Sequence, residues 1–218
     1  DFSSLTEEGS FYLDVPNVGQ SALFEIRGDL FAFPFYTVMR GFYLWRCSTA
    51  VSGTHYGVTF SHPGGHFNDG YMDYITGQHT KVDGTGGWYD AGDYGKYIVN
   101  TGVTVGVMFK AWEHFQSKLQ NIDLDIPESG GSMPDYLDEL KWEMDWVLKM
   151  QYTDGTGRVS HKLTRTNFAG FVMPQNDTAD RFFVPWGSAA TADFTAMCAM
   201  AARIYQPYDS AFAQRCLS

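Results

Sequence analysis

A chain of 218 residues with 44% hydrophobic and 18% charged residues can bury a substantial core, which excludes a disordered chain. Its formal net charge of -10 repels phosphates, so neither nucleic acid nor an anionic membrane is an expected partner, whereas a neutral polysaccharide needs no electrostatic help. Aromatic residues reach 17%, which suits either a large aromatic core or a surface on which sugar rings stack.

The chain opens strand-like. Ser10–Val15 and Ser21–Ile26 alternate apolar and polar residues, with the turn formers Asn17 and Gly19 between them. Two strands are not independently stable, so this hairpin reads as the end of a β-sandwich that lies upstream. From about Phe35 the period becomes helical, and Phe35–Ala50 is apolar on nearly every side, as in a buried helix. Val51–Gly87 reads as one long loop rich in Gly, His and Asp, of the length that usually carries function. Helices are predicted over Gly102–Ser117, Met133–Met150 and Gly187–Gln206, with another starting at Asp209. Ser132 is the expected N-cap of the second of these, with Pro134 in its first turn. Its acidic run Asp135–Asp145 reads as a solvated face, and Met197–Met200 as core. Helices joined by long polar loops suggest an α-helical barrel or toroid with its site at the loop end.

Cys47, Cys198 and Cys216 form no close-spaced metal or redox pair, and an odd count argues against a fully paired disulfide framework. The longest apolar-rich segment, Phe194–Tyr205, contains Arg203 and is too short to cross a bilayer. No signal peptide opens the chain, and both ends read as cut from something longer.

The densest chemical signal is Gly86–Tyr97, GGWYDAGDYGKY, in which Asp90 and Asp93 are separated only by Ala and Gly. Small spacers let the backbone turn so that both carboxylates face one cavity. Inverting glycoside hydrolysis needs a carboxylate base on water and a carboxylic acid on the leaving oxygen, about 6.5–9.5 Å apart. Two close carboxylates raise one pKa, and Lys96 beside them would oppose that shift. Taken alone, the D-x-x-D spacing is equally open to a cation site or an Asx turn.

The whole string, with YMDYITGQHTKVDGT before it and IVNTGVTVGVMFKAWEHF after it, resembles the base loop of family 9 glycoside hydrolases. The likeness runs on through IPESGGSMPDYLDELKWEMDWVLKMQYTDGTGRVSHK and RFFVPWGSAATADFTAMCAMAARIY, and covers nearly everything from Phe35 onward. It points to the subgroup with an N-terminal immunoglobulin-like module. The resemblance implies a mainly α fold: residues 31–218 as the N-terminal portion of an (α/α)6 barrel, and residues 1–30 as the last β-hairpin of the immunoglobulin-like sandwich. It implies inverting hydrolysis of β-1,4-glucosidic bonds, with Asp93 as general base and Asp90 helping to position the water. The family's acid is a glutamate in an aspartate–tyrosine–asparagine–glutamate motif, which these residues do not contain, and a late histidine–arginine substrate motif is also missing. Four of about twelve barrel helices and the start of a fifth are expected, with the remainder of the barrel as the natural partner.

Trp186 and Trp88 are candidate sugar platforms, with Trp88 as readily a core anchor for its loop. Arg181 and His161 are candidate hydrogen-bond donors to sugar hydroxyls; a structural histidine is the alternative for His161. Tyr97 reads as packing against the next helix. No cofactor is required for this chemistry. Members of the subgroup often hold a structural zinc with two Cys and two His; Cys47 and His66 match two positions, but Gly65 and Tyr89 stand at the others, so no zinc is expected. His55, His62 and His79 are close enough in sequence to allow a rearranged site. The family's calcium sites mostly use later segments, so none is expected in this chain. An endoglucanase, secreted because its relatives are, is the leading reading. The alternatives are an exo-acting cellobiohydrolase, an enzyme trimming cello-oligosaccharides or glucosamine oligomers, an inactive carbohydrate-binding fragment, or a calcium-binding helical protein.

Overall fold

The computed structural model describes residues 2–72 and 80–218; His79 lies outside them. The chain divides into two compact units, Asp1–Met39 and Arg40–Ser218.

The first unit holds a nested pair of hairpins. Strands β1 (Gly9–Phe11) and β4 (Phe24–Ile26) pair antiparallel, with Gly9 opposite Ile26. Between them β2 (Asp14–Val15) pairs with β3 (Gly19–Gln20). Asn17 and Gly19 adopt positive φ, as the turn signal requires. Phe24 holds the apolar side against Phe2 and Phe11.

Helix α1 runs over Ala32–Leu44, with Pro34 in its first turn. It starts and stops earlier than periodicity suggests. The stop has a backbone cause: beyond Leu44 the chain turns to pair with residues 87–89. Tyr89 N–H donates to Trp45 C=O at 3.0 Å and Cys47 N–H to Gly87 C=O at 2.7 Å. The predicted long loop contains a hairpin, β5 (Val51–His55) with β6 (Val58–His62), turned by Tyr56 and Gly57, both at positive φ.

Helix α2 (Ile98–Leu119) buries Val105, Met108, Phe109 and Trp112, and packs on α4 (Ser188–Tyr205), which buries Phe194, Met197, Ala201 and Tyr205. Their approach is close at Gly102, where a Cβ would lie 2.8 Å from the Asp193 Cβ. Helix α3 (Asp135–Lys149) contributes Leu137, Leu140, Met144 and Val147 to the same core. Its N-cap is Pro134 without a side-chain cap, not Ser132. Helix α5 (Ser210–Arg215) opens on Asp209, which accepts from Phe212 N–H at 2.9 Å. Among the described residues no helix is long and apolar enough to cross a membrane.

The acidic face of α3 is not solvated. Glu139 and Glu143 are fully buried and Asp135 nearly so. Each carboxylate has a partner that a single helix pattern does not show. Glu139 binds Arg46 Nε at 3.2 Å and Trp88 Nε1 at 2.8 Å. Glu143 accepts from Trp88 N–H at 2.5 Å and the Thr101 hydroxyl at 2.7 Å. Asp135 accepts from Leu124 N–H at 2.8 Å.

Candidate active site

A three-stranded antiparallel sheet brings the distant candidates together. Strand β7 (Lys96–Tyr97) follows directly on the Asp90–Asp93 turn and leads into α2. It pairs with β8 (Ser160–Thr164), which pairs with β9 (Phe182–Trp186). Tyr97 stands opposite Lys162, and Ser160 opposite Trp186. Strand alternation therefore puts Tyr97, Lys162 and Trp186 on one face and His161 on the other. Trp186 is about half exposed, as a platform must be, with Arg158 6.0 Å from its ring.

The base-bearing turn is closed by its own backbone, Asp90 N–H to Gly95 C=O at 2.9 Å and Tyr94 N–H to Ala91 C=O at 3.0 Å. Tyr94 takes positive φ there, a strained state for a residue of its size that a supported turn can hold. Asp90 is exposed and Asp93 partly so. Each accepts one side-chain hydrogen bond from the start of the following helix: Asn100 Nδ2 to Asp90 Oδ1 at 2.8 Å, and the Tyr97 hydroxyl to Asp93 Oδ2 at 3.3 Å. Burial first, then the Asp93 charge, hold the Tyr97 phenol above its usual range, so it stays a donor. Tyr97 and Asn100 were not expected as site residues. Their spacing after Asp93 was visible, but the turn that points the carboxylates back at them was not.

Lys96 does not hold either aspartate of the turn. Its ammonium is fully buried and turned away from the turn, donating to Gly84 C=O at 2.6 Å and Gly86 C=O at 2.7 Å, with Cys47 Sγ at 3.5 Å. Trp88 is 6% exposed and held by Glu139 and Glu143, so it anchors the loop. Arg181 is 2% exposed, paired with Asp69 at 3.4 Å. Arg181 is thus buried in an ion pair, while an edge of Trp88 lines a small cavity with Asp90, Tyr97 and Asn100.

Beside the turn, Cys47 and His66 come together with Tyr89. Burial opposes the Cys47 thiolate, but the charge of Lys96 beside it brings the thiol down to about 7. His66 uses both ring nitrogens, Nδ1 with the Tyr89 hydroxyl at 2.8 Å and Nε2 with Asp177 Oδ2 at 3.1 Å. Gly65 offers no donor, and a Cβ there would sit 2.3 Å from Pro174 O, so no side chain fits without moving that segment. Tyr89 is a phenol kept protonated by burial. This donor set does not fit a tetrahedral zinc.

With this geometry in hand, the comparisons are decisive. The profile of Glycosyl hydrolase family 9 matches residues 32–218. The chain belongs to glycosyl hydrolase family 9. It is similar to Endoglucanase D of Acetivibrio thermocellus, 58% identical over 218 residues, which are 100% of this chain and 35% of that protein. A metagenome-derived family 9 endoglucanase superposes with a TM-score of 0.86 at 38% identity, covering 99% of this chain and 39% of that one. A Zn-binding triple mutant of the family 9 endoglucanase J30 gives 0.85 at 32% identity, covering 97% and 40%. This family 9 chain thus spans about a third of the length of the curated relatives it matches. Its helices α1 to α5 and small antiparallel sheets are consistent with a partial helical barrel.

Proposed function

We propose that the protein to which this chain belongs hydrolyses internal β-1,4-glucosidic bonds of cellulose or related glucans with inversion, and that Asp93 is its general base. The observation that carries this reading is the Asp90–Asp93 turn. Asp90 is exposed and Asp93 partly so, and the Tyr97 hydroxyl and the Asn100 amide fix one oxygen of each. The other oxygen is left for water. Asp93 takes a proton as that water attacks the anomeric carbon, and Asp90 orients it. The glutamate that protonates the leaving oxygen belongs to the part of the relatives' length that this chain does not span. Trp186, on the Tyr97 face of the sheet, stacks a glucosyl ring. The chemistry needs no cofactor. A polymeric substrate that cannot enter a cell supports secretion.

The test is Asp93→Asn in the full-length enzyme, with turnover on a soluble cellulose falling by about 10²–10⁴-fold and thermal unfolding unchanged. Activity above about a tenth of wild type contradicts the assignment. Product anomers followed by NMR decide inversion, since the α-anomer must appear first. Rapid viscosity loss against slow reducing-end release identifies endo action; the reverse favours an exo-acting enzyme.

A further inference from the structure

We infer that Arg165, Asp177, His66 and Tyr89 form a metal-free relay that positions the Asp90–Asp93 turn. The inference rests on the proposed base role of Asp93. Arg165 Nη1 donates to Asp177 Oδ1 at 2.7 Å, and the other oxygen of Asp177 meets His66 Nε2 at 3.1 Å. His66 Nδ1 meets the Tyr89 hydroxyl at 2.8 Å. The Asp177 and His66 side chains are 1% and 2% exposed, so water does not compete for these bonds.

Tyr89 directly precedes Asp90, and its N–H is tied to Trp45 C=O. On the other side of the turn, the Tyr94 ring lies edge-on to Tyr89 at 4.9 Å and 5.6 Å from the His66 ring. Both residues that bracket the pair of aspartates therefore lean on one imidazole. That imidazole is locked from behind by a carboxylate whose second oxygen is held by a guanidinium. The chain of contacts joins the loop before β9 to the base turn without passing through substrate. It stands where the resemblance places zinc ligands, and it uses both His66 nitrogens that a metal would need.

The experiment uses the full-length enzyme at a temperature well below unfolding. Arg165→Met and Tyr89→Phe each lower kcat by about tenfold or more with KM changed less than about twofold, and Arg165→Lys keeps kcat near wild type. The Arg165 side chain holds Asp177 and is only 24% exposed, so a loss of kcat with KM unchanged reads positioning and not contact with substrate. A purely structural cross-link lowers the melting temperature and leaves kcat intact, and that result overturns the inference. Should Tyr89→Phe not fold, the Arg165 pair alone decides. Elemental analysis after zinc loading gives less than one-tenth zinc per chain; stoichiometric zinc overturns the relay as a metal-free device. Asp93→Asn, run in parallel, separates the two readings. If it stays active, the base assignment fails; if it is inactive while Arg165→Met retains full kcat, only the relay fails.

Discussion

The Tyr97 hydroxyl points at Asp93, 3.3 Å from Oδ2, from the residue that opens helix α2. The donor is thereby fixed by the same element that ends the base turn. The hydrogen bond aims that carboxylate oxygen. Tyr97→Phe removes only that donor. The expected outcome is a loss of about three- to tenfold in kcat, with the melting temperature little changed. An unchanged kcat would place Tyr97 in packing alone.

Trp186, read from the sequence as a sugar platform, and Arg181, read as a donor to sugar hydroxyls, are separated by burial. Trp186 is 48% exposed on the Tyr97 face, whereas Arg181 is 2% exposed and ion-paired. Trp186→Ala is expected to raise KM on soluble glucan by about tenfold, matching a stacking loss of roughly 1.4 kcal/mol, with little change in melting temperature. Arg181→Ala is expected to do the opposite, lowering the melting temperature because it removes one of the two cations, Arg181 and Lys96, that meet buried Asp69. Substrate titration and thermal unfolding on both variants check this.

The helices were readable because their apolar stripes repeat at helical spacing: Leu137, Leu140, Met144 and Val147 on α3 are buried as that spacing implies. The end of α1 was not, because Trp45 and Cys47 spend their backbone groups on residues 87–89, far along the chain. The β5–β6 hairpin hid behind a Tyr56–Gly57 turn that is not among the usual turn pairs. The β7–β8–β9 sheet hid because its strands are separated by long connections, and short strands carry little pattern of their own. At the site, the two aspartates were legible from the motif. Tyr97, Asn100 and the partners of His66 were not, since which side chain answers which is decided by the fold of the turn.

Arg46 is the partner that makes the acidic face of α3 buriable. It is 1% exposed, forks onto Glu128 at 2.9 and 3.0 Å, and meets Glu139 at 3.1 and 3.2 Å. Its guanidinium also lies 4.5 Å from the Trp142 ring. Arg46→Met is expected to cost roughly 3–5 kcal/mol, because it leaves Glu139 charged or protonated in a dry site. Adding Glu139→Gln should recover part of that loss. Denaturant midpoints on the two single variants and the double variant measure the coupling.

Burial raises three carboxyls of α3, Glu143, Glu139 and Asp138. It pushes the Glu143 carboxyl up to about 7 from 4.5, against hydrogen bonds from Thr101 and Trp88. Asp138 is pushed up to about 6, first by burial and then by the charges of Glu128 and Asp135. A carboxyl that binds its proton more tightly when folded stabilises the protein at low pH, and the gain is lost as pH rises through the folded value. Stability is therefore expected to fall between about pH 4 and 7. Asp83 runs the other way: despite burial, hydrogen bonds from Thr85 and Lys149 hold it at about 2, so its contribution is lost only as pH falls below the usual carboxylate range. The two windows do not overlap, so the upper one reports Glu143 and Asp138 together with Glu139, which burial also raises. Glu143→Gln keeps an acceptor for Trp88 N–H and a group for the Thr101 hydroxyl while removing the titration. Its melting temperature should change less with pH over that range than that of the unsubstituted protein, and an equal slope in both would remove Glu143 as the source.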